Sequence, residues 1–260
     1  MMARLADRNV PPPSHGVTGD TAWRELHRLA SEPYRRSGKF GWHFARGKLG
    51  LDPVFRSLLE RGDITPQSRV LDIGCGQGLL ASLFSACDEL AQRGAWPAHW
   101  ASPPTGARYT GIEMMPRDVT RAMAAIGVLP SAPRVHCADI RNAELPAADA
   151  VVILDVLHYV DHAAQAALLQ RVRAALAPRG RLLLRVGDAA GRGRFAASQW
   201  VDRAVTSLRG HRVPPTFGRG LTDWTALLQR IGFDVEALPM SQGTPFANVL
   251  LCCNLAVASP

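Results

Sequence analysis

From Ser68 onward the sequence alternates short apolar runs with amphipathic stretches, and this rhythm constrains the fold more than any other feature. Segments 70–73, 109–112, 134–138, 150–154 and 181–186 read as strands. Segments 79–91, 116–126 and 161–176 between them carry helical patterning. The run AVVIL at 150–154 is apolar throughout, as a strand covered on both faces requires. A further helix is expected over 222–231, capped by Thr222 and stopped by Gly232. Segments 233–238 and 248–256 then read as a closing strand pair. Repeated strand–helix units predict an α/β fold, with a parallel sheet and helices on both faces.

Upstream of this rhythm, residues 1–66 are expected to form an N-terminal extension, and 67–260 the main domain. Residues 1–20 are polar and Pro-rich, which predicts a flexible start. A short helix follows over 21–29, capped by Asp20 or Thr21. YRRSGKFGWHFARGKLG, residues 34–50, has no clean period and reads as an ordered loop, rich in aromatics and cations. Asp52-Pro53 then opens a helix over 53–61. Two insertions break the later rhythm. Residues 94–107 carry Trp and Pro and read as a packed surface loop. Residues 188–220 are basic and Gly-rich, with a short helix expected near 195–208.

At 47% hydrophobic, 260 residues can bury a sizeable core, and no apolar run approaches bilayer length. The opening MMARLADRNVPPPSHG has no apolar centre of the signal-peptide kind. The five cysteines form no CxxC pair, which fits small buried hydrophobes in a reducing cytoplasm, with no metal site expected. Cys252 and Cys253 should point to opposite faces of one strand. The net charge of +8 suits an anionic partner, such as an acidic acyl carrier protein, or simply a solvated surface. No basic run is interleaved with base-stacking aromatics, which disfavours nucleic acid.

The first strand runs into VLDIGCGQG, residues 70–78. Glycine leaves no Cβ between a ligand and the main chain. The carboxyl end of such a strand is where open α/β sheets bind ligands. Gly74, Gly76 and Gly78 have GxGxG spacing, unlike the GxGxxG of dinucleotide loops. Asp72, two positions earlier, would repel a pyrophosphate and attract an ammonium group. Together these features favour a cationic nucleoside without phosphate.

These residues resemble the first motif of the class I S-adenosylmethionine (SAM)-dependent methyltransferases. The resemblance covers about the last three quarters of the chain and implies a Rossmann-like, doubly wound, mostly parallel seven-stranded sheet with an antiparallel last strand. It implies SAM as cofactor, with the loop of Gly74, Cys75, Gly76 and Gly78 around the amino acid and nucleoside. Glu113 in YTGIEMM would bind the ribose hydroxyls, with Met114 beside it. Glu113 lies 41 positions after Asp72, an excess that the 94–107 insertion explains. Asp139 in HCADI would meet the adenine amino group, with Ile140 against the ring; Asp139 also suits a plain turn aspartate.

The loop after the fourth strand, LDVLHYV, would face the transferable methyl. His158 is then the candidate general base, because imidazole titrates near neutrality, and a structural histidine is the alternative. Tyr159 could line the same pocket, and Asp155 could touch the cofactor or only the loop backbone. Arg46 and Lys48 could pair with the methionine carboxylate, and Trp42, His43 and Phe44 could cover the site. Tyr34, Arg35, Arg185 and Asp188 are weaker candidates. The reading is a bacterial methyltransferase acting on the oxygen or carbon of a small molecule, such as an aromatic or carrier-bound intermediate. RNA or protein methylation, an NAD-linked oxidoreductase and a non-catalytic SAM-binding subunit stand against it. No [DN]PP[YF] motif follows the fourth strand.

Overall fold

The computed structural model describes residues 17–187, 216–241 and 248–256. The N-terminal layer holds α1 (Gly19–Ser31), a 3-10 turn (Glu32–Ser37), α2 (Gly38–Leu51) and α3 (Pro53–Arg61). Then follow β1 (Arg69–Ile73), α4 (Leu79–Gln92), β2 (Arg108–Glu113), α5 (Pro116–Ile126), β3 (Arg134–Cys137) and β4 (Ala148–Leu154). A 3-10 turn (Leu157–Tyr159), α6 (His162–Ala175), β5 (Leu176–Gly187), α7 (Leu221–Ile231), β6 (Phe233–Pro239) and β7 (Asn248–Leu255) complete the order.

The strands form one seven-stranded sheet in the order β3-β2-β1-β4-β5-β7-β6. β1 to β5 pair in parallel, and β7 lies antiparallel between β5 and β6. The doubly wound α/β expectation is met. Strand alternation divides the core in two. Val70, Tyr109, Val152, Leu183 and Cys252 face the N-terminal helices and α4. Leu71, Ile73, Ile153, Leu184 and Cys253 face α6 and α7. The adjacent cysteines therefore do point to opposite faces. Residues such as Leu26, Leu49 and Leu168 are fully buried, each worth about 1.5–3 kcal/mol of apolar transfer.

The N-cap read at Asp52 is present. Asp52 accepts the Val54 amide at 3.1 Å, and Asp161 accepts that of Ala164 at 2.8 Å. Gly232 ends α7 in the left-handed conformation, but the cap at its start is Gly220 rather than Thr222. The cap of α1 is Thr18, not Asp20 or Thr21.

Most of the segment read as a loop over 34–50 is helical, starting at Gly38. Its period is carried by Gly41, Ala45 and Leu49, small or apolar residues four apart, all buried. His27 of α1 bonds the Arg46 carbonyl at 2.8 Å, so tertiary packing overrides the low helix propensity of four glycines. The 94–107 insertion folds on itself as expected. Trp96 meets Trp100 edge to face at 5.4 Å and donates to the Ala101 carbonyl. The helix expected near 195–208 lies outside the described residues, as does Asp188.

Candidate functional site

The turn after β1 is shaped by its neighbours. Gly74 has φ 72°, and a Cβ there would sit 2.2 Å from Val156 Cγ2. The loop after β4 therefore presses directly on the glycine turn. Gly76 has φ 55°, and a Cβ there would meet nothing within 4 Å. It is the open point of the loop, where a ligand can approach bare backbone.

Glu113 ends β2 beside this opening. Its Oε2 accepts the Gly76 amide at 2.9 Å, and its Oε1 accepts the Met115 amide at 2.8 Å. Parallel pairing sets Ile73 against Ile112, so the long sequence separation collapses to adjacency. Each carboxylate oxygen keeps a lone pair for another donor. Cys75 is half-buried and occupies the space that the missing Gly111 side chain leaves, 2.6 Å from where that Cβ would be.

Asp72 is 5% exposed and accepts the Tyr109 hydroxyl at 2.8 Å. Burial pushes its carboxyl up to about 7; the Tyr109 bond opposes the rise and the Glu113 charge adds to it. The same burial drives the Tyr109 phenol well up. Tyr34 closes the far side. It is fully buried and donates to the Gln77 carbonyl at 2.8 Å. Tyr34 thus fixes the glycine turn to the N-terminal layer.

Asp155 begins the loop after β4 with φ 59°, a left-handed conformation that costs a non-glycine residue roughly 1–3 kcal/mol. Arg185 Nε holds its Oδ1 at 2.8 Å, and Arg185 Nη2 bonds its Oδ2. The same guanidinium bonds both oxygens of Asp52, one at 2.8 Å. Lys48 Nζ lies 2.8 Å from Asp52 and 3.5 Å from Asp155. Burial raises both carboxyls, but Arg185 and Lys48 outweigh it and hold each below its usual range. His158 and Tyr159 follow in the 3-10 turn, their rings 4.0 Å apart.

Other expected residues fall elsewhere. Asp139 is tied by its own turn: Oδ1 accepts the Arg141 amide at 2.9 Å, and the Arg141 guanidinium lies on the carboxylate. This is the turn-aspartate alternative in geometry. Ile140 is 7% exposed and belongs to the core against α6, not to an open wall. Met114 is 54% exposed. Trp42 lies under the Arg35 guanidinium at 4.4 Å and that of Arg46 at 5.0 Å. His43 is exposed. Lys48 is committed to two carboxylates. Asp52, read only as a helix cap, and Tyr109, read only as a strand residue, were missed; no local pattern marks either.

The residues suit SAM. Glu113 offers acceptors to hydroxyls, Asp72 offers charge to an ammonium group, and Gly76 leaves bare backbone. Among the described residues, no group of three or more His, Cys, Asp and Glu is placed to hold a metal. No helix of the described residues is long and apolar enough to cross a membrane.

A family described as a methyltransferase domain matches residues 22–238. No curated protein sequence matches the chain. The fold is similar to magnesium protoporphyrin IX methyltransferase (ChlM) from Synechocystis PCC 6803 with bound SAH. That pair is 19% identical with a TM-score of 0.53, over 92% of this chain and 100% of that one. An O-methyltransferase family protein from Burkholderia thailandensis gives 0.58 at 15% identity, over 92% and 73%. The mitomycin 7-O-methyltransferase MmcR gives 0.53 at 22%, over 95% and 74%. With the family match spanning most of the sequence and the sheet order of that fold, the chain belongs to the methyltransferase-domain family, as a class I SAM-dependent methyltransferase.

Proposed function

We propose that the chain transfers the methyl group of SAM to an oxygen or carbon of a small-molecule acceptor. The observation that carries this is the contact of the loop after β4 with the glycine turn, Val156 against Gly74. It sets His158 and Tyr159 beside the cofactor end of the sheet. Two structurally similar proteins are named for small acceptors, magnesium protoporphyrin IX and mitomycin, and support the same reading.

Bound SAM supplies an electrophilic methyl group on a sulfonium. Glu113 accepts from the ribose hydroxyls while holding the Gly76 and Met115 amides. Asp72 faces the ammonium, which favours its ionised form. Asp139 reaches the adenine amino group when its pairing with Arg141 opens. His158 takes the proton of a hydroxyl acceptor, and Tyr159 walls the acceptor space. The helices between residues 19 and 61 act as an extension over the site, and an acidic carrier protein suits the net charge of +8.

The test incubates the protein and methyl-labelled SAM with a cell extract separated into small-molecule, RNA and protein fractions. Label in the small-molecule fraction is expected. Label confined to RNA or protein overturns the acceptor class, and label in none points to a non-catalytic subunit.

A further inference from the structure

We propose that Arg185 is a positioning residue for the loop 155–160, and that Asp52 and Lys48 couple this loop to the N-terminal layer. The inference rests on reading that loop as the one facing the acceptor.

Arg185 lies in β5 with a side chain 1% exposed. A buried cation at this depth demands partners, and it has two carboxylates from two different elements. Asp52 comes from the junction of α2 and α3, and Asp155 from the first residue after β4. Arg185 also holds Asp155 by the main chain, since its carbonyl accepts the Asp155 amide at 3.3 Å. Lys48, one turn before Asp52, is shared by both carboxylates. Two cations thus balance two anions.

Such a cluster is weak evidence for stability, because desolvation offsets most of the Coulomb gain. Apolar side chains of similar size would join the same elements as firmly. What the charges add is direction. The planar guanidinium fork donates to each carboxylate along fixed lines, which an ammonium does not. Of the two residues this fork grips, Asp155 is the one with left-handed backbone. Strained backbone persists only where its surroundings over-determine it. The next residue, Val156, touches the glycine turn, and His158 follows two positions later. The fork therefore sets where the loop leaves the sheet, and with it the aim of His158.

The test uses Arg185→Lys and Asp52→Asn in the full chain. Readouts are SAH calorimetry, amide hydrogen exchange and the NMR signals of the His158 imidazole. Arg185→Lys should keep SAH affinity within about threefold. Exchange at 155–160 should accelerate by about tenfold or more, with β1 and β4 unchanged, and the His158 signals should move. Asp52→Asn, outside the loop, should produce the same local effect. A folded Arg185→Lys protein with unchanged exchange and unchanged His158 signals overturns the proposal. So does acceleration spread evenly through the sheet, which marks a merely structural cluster. If Arg185→Lys does not fold, Asp52→Asn decides by the same criteria. Loss of the acceptor reading shows separately, as absent methyl transfer with the exchange result intact.

Discussion

Tyr109 on β2 donates its hydroxyl to Asp72 on the adjacent β1 at 2.8 Å, and both side chains are buried. The pair places a carboxyl that titrates near neutrality beneath the glycine turn. Its folded-state pKa is raised to about 7, against about 3.9 in an unfolded chain. The stability it contributes is full below about pH 3.9 and is lost as pH rises through 7, at up to about 1.4 kcal/mol per pH unit. Asp72→Asn should flatten the decline of the ligand-free melting temperature between pH 5 and 7. An unchanged decline would mean that Asp72 ionises normally.

The same titration bears on the cofactor. An ammonium prefers the ionised carboxylate, so SAH should bind more tightly at pH 8 than at pH 6. Calorimetry of Asp72→Asn should show weaker binding with that pH dependence removed.

Glu113 accepts two backbone amides and has no room for a donor facing them. In Glu113→Gln one amide hydrogen must meet a backbone N–H or turn toward the ribose. SAH affinity should fall about 10–100-fold, the cost of losing a charged hydrogen bond in a half-buried site. Equal affinity would move the ribose acceptor elsewhere.

Gly74 and Gly76 should separate folding from binding. Gly74→Ala drives a methyl into Val156 at a positive φ, and should destabilise the fold by several kcal/mol in thermal unfolding. Gly76→Ala meets open space, so it should lose only about 1–2 kcal/mol to backbone strain. Its SAH affinity should drop because the methyl occupies the ligand's approach. A Gly76→Ala protein that binds normally would show that ligands do not touch this loop.

His158→Ala should lower turnover on a hydroxyl acceptor by about 100-fold or more, with SAH affinity nearly unchanged. Retained turnover would leave His158 a structural residue.

The strand–helix rhythm, the GxGxG turn and the cap at Asp52 were legible in the sequence, because each depends on residues within a few positions of one another. Apolar alternation sets which face of a strand is buried, and it separated Cys252 from Cys253 without any knowledge of the neighbours. Glu113 could be named from its place at a strand end. Its bond to Gly76 came only from the parallel register of β1 and β2.

What lay beyond the sequence was decided by contacts between distant segments. Asp52 and Arg185 are 133 positions apart, and nothing local marks them as partners. The period of α2 hides in Gly41, Ala45 and Leu49, two of them too small to register as an apolar stripe until a neighbouring helix packs against them. Asp139 and Ile140 were placed by position along the chain, and their contacts with Arg141 and the α6 core came only from the fold. Local propensity depends on a residue and its chain neighbours. Ion pairing and close packing depend on which surfaces the folded sheet brings together, and only the tertiary structure contains that information.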